Sequence, residues 1–295
     1  MELVALDPHG ASDVLAALDA HERRQGVPRL EAAERRRLAA RASGGGDPAE
    51  DPERWVPHTV GGWYLGLRTP PDGGPVAEAG RLDGGTVTAL LDVAASVAAG
   101  RLWLRDADPV DVAAAAERGW TTRRTLLVLG RPLPPDPTAV APPAGLRLLR
   151  LGEVGAGPVA ALLMRAYDEP RRTGLVEADP GAGPWTVERF RRVATVSLAA
   201  PEDLLVAVDP EGAPVGAHWT GRRAGGVGEV FNLAVDPSWK GRGLGSWLLT
   251  AGLMHLSGLG LREVVLWVDR ENAPARALYA RAGFVERGRD VAIGR

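Results

Sequence analysis

The chain has 295 residues, 45% of them hydrophobic and 24% charged, with a formal net charge of −2. That length and balance suit two folded domains of roughly 150 residues, each able to bury a core without disulfides or a structural metal. Cysteine is absent, which excludes a thiol nucleophile, a disulfide framework and any zinc site with cysteine ligands.

The histidines (His9, His21, His58, His218, His255) have no ligand spacing, so no metal is expected. The near-neutral charge gives no field for nucleic acid or an acidic membrane. MELVALDPHG lacks the basic-then-apolar order of a signal peptide, and no apolar run reaches the length of a membrane span. A soluble, cytoplasmic protein is expected, monomeric or homodimeric.

In chain order, the first half reads as a strand, two helices to about residue 42, further strands, a helix over 86–99, a strand over 101–105, a helix over 109–118 and a strand over 120–130. Ser43-Gly44-Gly45-Gly46-Asp47-Pro48 is a loop. Arg131–Pro143 is dense in proline, which removes backbone donors and favours an extended linker. Beyond it, 146–151 alternates as a strand, and helices are expected over 155–168 and 185–197. Three strands follow, near 204–209, 215–223 and 229–236. Leu244, Trp247, Leu248 and Ala251 recur at helical spacing, so a helix starts near Leu244. A buried strand spans Val264–Val268. The last helix, 273–282, opens with Pro274 and stops at Gly283, before terminal β structure.

The two halves copy each other. Leu266-Trp267-Val268 follows Leu102-Trp103-Leu104 by 164 positions, and Gly283-Phe284 follows Gly119-Trp120 by the same 164. Two matches in one register point to duplication. The domains are therefore expected as 1–133, a linker over 134–144, and 145–295.

Chemistry concentrates in Val235-Asp-Pro-Ser-Trp-Lys-Gly-Arg-Gly-Leu-Gly-Ser246, which joins a strand to a helix. Glycines let successive amide N–H groups turn into one concavity, and the helix N-terminus adds partial positive charge. Lys240 and Arg242 beside Gly241, Gly243, Leu244, Gly245 and Ser246 complete a site for a phosphate-bearing ligand. Neither the spacing of a nucleoside-triphosphate loop nor a dinucleotide fingerprint is present.

Lys240-Gly-Arg-Gly-Leu-Gly245 resembles the Gln/Arg-x-x-Gly-x-Gly/Ala loop of the GNAT superfamily of N-acetyltransferases. Asn272 and Tyr279-Ala-Arg-Ala-Gly-Phe284 fit that superfamily's order. Arg131-Pro-Leu133, Trp185-Thr186, His218-Trp-Thr220, Gly228-Glu-Val230 and Trp267-Val-Asp269 are similar to the tandem-repeat mycothiol synthase branch, whose second repeat is the catalytic one.

The resemblance implies an α/β (α+β) fold of two tandem GNAT-like domains, each a mixed, mostly antiparallel sheet flanked by helices. It implies acetyl-CoA as co-substrate and a small-molecule amine as acceptor. Glu229 matches the general base and Tyr279 the acid that protonates the coenzyme thiolate. Leu233, Ala234 and Val235 would offer backbone groups to the pantetheine arm; Asn272 and Arg276 would contact the coenzyme.

Trp267, Trp219 and Trp185 are candidate acceptor walls. The branch has a sugar-contacting lysine where this chain has Gly221. Arg222 or Arg223 is the substitute, on opposite faces of the strand, and Arg222 is taken as the acceptor contact. Glu177 and Asp179 are candidates for a cationic acceptor.

In the first repeat Asp83 would repel phosphate, Ala115 stands where Tyr279 does, and Asp108 stands for Asn272. That repeat is expected neither to turn over nor to bind coenzyme strongly.

Overall fold

The computed structural model describes residues 4–25, 32–44, 56–60, 62–68, 76–82, 85–96, 100–133, 142–172, 184–197 and 200–295. Asp83, Glu177, Asp179, most of the 134–144 linker and part of the 43–48 loop lie outside them. The described chain forms two compact units. The first runs to Val128 and takes in Glu286–Arg295; the second runs from Leu129 to Val285.

The first unit contains β1 (Val4–Ala5), α1 (Pro8–Gln25), α2 (Ala32–Ala42), β2 (Val56–Val60), β3 (Trp63–Arg68), β4 (Val76–Arg81), α3 (Val87–Ser96), β5 (Arg101–Arg105) and α4 (Pro109–Glu117). β6 (Thr121–Pro132) leads out of it. Its strands are ordered β1-β2-β3-β4-β5 and are antiparallel except for the parallel pair β4–β5. The helix α3 presents Val87, Leu90, Leu91 and Ala94 at helical spacing to a core shared with Trp63, Leu65, Leu102 and Leu104.

The second unit contains β7 (Arg147–Arg150), α5 (Leu151–Val154), α6 (Ala156–Arg172), α7 (Val187–Ser197), β8 (Leu204–Val208), β9 (Pro214–Arg223), β10 (Val227–Val235), α8 (Leu244–Gly258), β11 (Glu263–Asp269) and α9 (Ala273–Arg281). Strand order is β7-β8-β9-β10-β11, again antiparallel until a parallel last pair. One face of this sheet packs Val206, Ala217, Trp219 and Ala234 against Leu162 and Leu163 of α6 and Phe190 of α7. The other packs Ala207, Val215 and Leu233 against Leu244, Trp247 and Leu248 of α8. This two-faced burial follows from the period-two alternation of β9 and β10.

The terminal strand β12 (Val285–Gly294) pairs antiparallel with β5, Val291 opposite Leu104 and Gly294 opposite Arg101. Asp290 anchors it by accepting from Nη1 of Arg105 at 2.7 Å, in a buried cluster that also holds Glu78.

The duplication shows in matching details. Gly119 and Gly283 both take positive φ, +78° and +80°, a conformation that costs glycine little. Each hands the chain to a buried aromatic whose amide bonds back to the preceding helix, Trp120 to the Ala115 carbonyl and Phe284 to that of Tyr279. Asp108 and Asn272 both cap their helices, accepting from Val110 and Ala275 amides.

Candidate active site

The site begins at an irregularity in β10. Its register against β9 shifts between Val230 and Asn232, so Phe231 is an extra residue in that strand. Such a bulge bends the strand and increases its twist. On its other side β10 pairs with β11 only from Val227↔Glu263 to Val230↔Leu266. Past that point, among the described residues, the two strands share no ladder, and the β11-facing edge of Asn232–Val235 is left without strand partners. Backbone donors and acceptors in such a slot want polar partners. An extended amide-bearing chain can supply such partners by strand-like pairing.

The slot leads to the glycine loop. Asp236 caps the short turn Pro237–Trp239 through the Ser238 amide at 3.0 Å and hydroxyl at 2.7 Å, and Nε of Arg165 in α6 donates to it at 2.7 Å. Burial works against the charge of Asp236, yet the Ser238 and Arg165 contacts outweigh it and hold the carboxyl below its ordinary pKa. Gly241 and Gly243 have φ of +76° and +80° with nothing within 4 Å of a Cβ. It is backbone conformation, not space, that calls for glycine there. The first amide of α8 to find a helical acceptor is that of Trp247, on the Gly243 carbonyl at 3.1 Å. The amides of Leu244, Gly245 and Ser246 are therefore the open helix N-terminus. Lys240, Gly241, Arg242, Gly243 and Ser246 are exposed around it, with the Arg242 guanidinium 5.1 Å from the Trp239 ring centroid.

Glu229 lies on the α6/α7 face of the sheet, opposite Gly221. A Cβ at 221 would come within 3.2 Å of the Glu229 Cβ and 3.3 Å of Oε2, so glycine lets the carboxylate lie along β9. There Nη1 of Arg223 donates to Oε2 at 3.0 Å, and the guanidinium sits 4.9 Å from the Trp267 ring centroid. Tyr279, on α9, is buried and meets Phe284 edge-on at 5.7 Å. Burial raises its phenol pKa well above the ordinary value, and nearby Tyr167 adds to the effect. The phenol is therefore protonated at neutral pH, as an acid must be before it acts.

Several expected residues are placed differently. Trp219 is 1% exposed and packed between Phe190 at 5.6 Å and Phe231 at 4.9 Å; it is part of the core rather than an acceptor wall. Arg222 points to the α8 face, where Nη2 donates to Asp203 at 2.8 Å beside His255; strand alternation gives the Glu229 face to Arg223 instead. Arg276 donates to the Arg270 carbonyl at 3.0 Å, while Asn272 caps α9 through Oδ1, which accepts from the Ala275 amide at 3.2 Å. His218 is buried, with Nδ1 2.8 Å from the Leu248 carbonyl, and burial lowers its pKa to about 4. It is a neutral packing histidine.

One site residue escaped sequence reasoning. The Tyr167 hydroxyl donates to Oδ1 of Asn232 at 3.0 Å, tying α6 to the bulge. Burial lifts this phenol to about 12, against the opposing influence of the Asn232 hydrogen bond. Its one available signal was rarity, since the chain has three tyrosines.

Comparison with known proteins gives the family and the fold. The acetyltransferase (GNAT) family matches residues 163–284. A mycothiol acetyltransferase of Clavibacter michiganensis is 35% identical over 279 residues, covering 85% of this chain and 87% of that one. The chain belongs to the GNAT acetyltransferase family. A second relative with that name, from Thermomonospora curvata, is 37% identical over 77% of this chain and 76% of its own. The match to one from Catenulispora acidiphila, at 35% identity, spans 60% of that relative's length. Among solved structures, a GCN5-related N-acetyltransferase from Sphaerobacter thermophilus has a TM-score of 0.66 at 21% identity, covering 100% of this chain and 95% of that one. A tandem GNAT protein from the clavulanic acid biosynthesis pathway has the same TM-score at 19% identity, covering 100% and 98%. The fold of this acetyltransferase is thus the tandem GNAT fold.

Among the described residues no cluster of three or more metal-ligating side chains occurs, and no helix is long and apolar enough to cross a membrane.

Proposed function

We propose that the second repeat, 145–295, transfers the acetyl group of acetyl-CoA to the primary amine of a small molecule by direct attack on the thioester. The observation that carries this reading is the opened β10–β11 edge, with a base, Glu229, at its mouth and an acid, Tyr279, in the same unit. Leu233, Ala234 and Val235 hold the pantetheine arm by backbone groups. The amides of Gly241–Ser246, with Lys240 and Arg242, hold the pyrophosphate. Asn272 shapes the start of α9 beside the coenzyme, and Arg276 stands on the helix surface near it.

Glu229 takes the proton from the acceptor nitrogen, directly or through water. The nitrogen lone pair forms a bond to the thioester carbonyl carbon, the C–S bond breaks, and Tyr279 gives its proton to the leaving sulfur. The products are an N-acetylated amine and the free coenzyme thiol. The relatives' name makes a mycothiol-precursor-like, sugar-linked amine a natural first acceptor, and the cytoplasm, where acetyl-CoA is made, the natural setting. The first repeat, 1–133, is proposed as a degenerate copy without turnover.

The test is thioester cleavage by the purified chain with a panel of amines. Cleavage that rises with added amine and yields its N-acetyl product is expected. Tight acetyl-CoA binding with no amine-dependent cleavage would instead make the protein an acyl-CoA sensor.

A further inference from the structure

The extra residue in β10 does more than bend the strand. In an unbroken strand, positions 229 and 232 would lie on opposite faces of the sheet. With Phe231 inserted, Glu229 stands opposite Gly221 and Asn232 opposite Trp219. Directly opposed residues of an antiparallel pair share a face, and Trp219 is packed on the α6/α7 face. Position 221 of β9 lies on that face too. The bulge therefore re-aims Asn232 to the side of the sheet that carries Glu229.

Asn232 is half-buried there, and Tyr167 fixes its orientation. The Tyr167 hydroxyl donates to Oδ1 at 3.0 Å, and Nδ2 has no hydrogen-bond partner among the described residues. A carboxamide is planar, so holding its oxygen on the phenol turns both N–H donors away from α6. The same phenol lies close enough to Tyr279 to oppose its ionisation. Asn232 thus shares a strand face with the base and, through Tyr167, the neighbourhood of the acid. Its uncommitted donors supply what neither Glu229 nor Tyr279 does, a partner for negative charge on the carbonyl oxygen.

We propose that Asn232 is a catalytic residue whose Nδ2–H donates to the thioester oxygen, and that Tyr167 is the residue that positions it. The proposal deepens the acetyl-transfer reading above and rests on it. As the amine nitrogen bonds to the carbonyl carbon, the carbonyl π pair moves to oxygen, where the Nδ2–H stabilises it. The pair returns as the C–S bond breaks. Glu229 keeps the proton of the amine, and the sulfur takes that of Tyr279.

The experiment measures kcat, and acetyl-CoA affinity by calorimetry, with the full chain. The acceptor is N-cysteinyl-glucosamine, a sugar-linked primary amine, or the most active amine of the panel above. Asn232→Asp keeps the shape and the acceptor for Tyr167 but has no N–H donor. It should lower kcat about a hundredfold and leave coenzyme affinity within about twofold. A purely structural link would survive that change, so wild-type kcat in Asn232→Asp overturns the proposal. If the added carboxylate prevents folding, Asn232→Leu, of similar shape, decides in the same way.

Tyr167→Phe should lower kcat about tenfold, and should cost nothing further in an Asn232→Ala background. Equal losses in both backgrounds overturn the positioning role of Tyr167. A loss of kcat matched by an equal loss of coenzyme affinity makes the link part of the slot's fold and overturns the catalytic role. All of these results leave acetyl transfer intact. Failure of every amine to stimulate cleavage by the wild type overturns the transfer reading itself, and this one with it.

Discussion

The two repeats end alike and differ in the middle. Both carry a capped helix, a glycine at positive φ and a buried aromatic bonded back to the helix. In the first, β4 and β5 stay zipped for five pairs, Val76↔Arg101 to Gly80↔Arg105, and β4 meets β3 without a register break. In the second, the parallel ladder stops after four pairs, where Phe231 is inserted into β10. The first repeat also places the Arg105 guanidinium, bonded to Asp290 and paired with Glu78, on the stretch of β5 that follows Trp103. One added residue, and a tyrosine in place of Ala115, separate a sheet edge that stays paired from the one proposed to take the coenzyme. The shared ends maintain the fold; the proposed chemistry is placed at the interruption.

That contrast can be broken most forcefully at Tyr279. Replacement by Phe should lower kcat by about two orders of magnitude while acetyl-CoA affinity, measured by calorimetry, changes by less than about twofold. An unchanged kcat would leave the two repeats chemically equivalent at this position. Next in size, Lys240→Ala with Arg242→Ala should raise KM for acetyl-CoA by about tenfold or more, with no comparable effect on a truncated thioester lacking the pyrophosphate. Equal effects on both donors would show that the loop does not read phosphate.

A smaller effect concerns His218, a buried group confined to the second unit. Its folded pKa, about 4, lies below the unfolded value near 6.5. Between those values the unfolded chain holds more protons, so stability present above pH 6.5 is lost as pH falls toward 4. The loss amounts to about 2 kcal/mol between pH 7 and 5. Denaturant unfolding at the two pH values should show it, and His218→Gln should flatten the difference. The smallest effects are the caps. Asp108→Ala and Asn272→Ala should each cost about 1 kcal/mol in thermal or chemical unfolding, and only the second should also raise KM for acetyl-CoA.

Much of this was legible because local chemistry recurs at fixed spacing. Gly119 and Gly283 announced the repeat, and the alternating glycines of 240–245 announced the positive-φ turn into α8, since both depend on backbone needs that few residues meet. The bulge was not legible: Glu229-Val-Phe-Asn-Leu-Ala-Val235 reads as one unbroken strand, and the extra residue is visible only against the register of β9. Arg222 was chosen over Arg223 because alternation tells which residues share a face, but not which face holds the site. Trp219 looked available because hydrophobicity cannot distinguish a cleft wall from a core residue; Phe190 and Phe231 decide that from distant parts of the chain.

The pairing of β12 with β5 has a consequence for how the molecule is made. Arg105 and Asp290 are separated by 185 positions, and ribosomes deliver the chain from the N-terminus. The sheet begun by residues 4–105 therefore waits, one strand short, while the whole of the second unit is synthesised. The repeat that emerges first is the last to be completed.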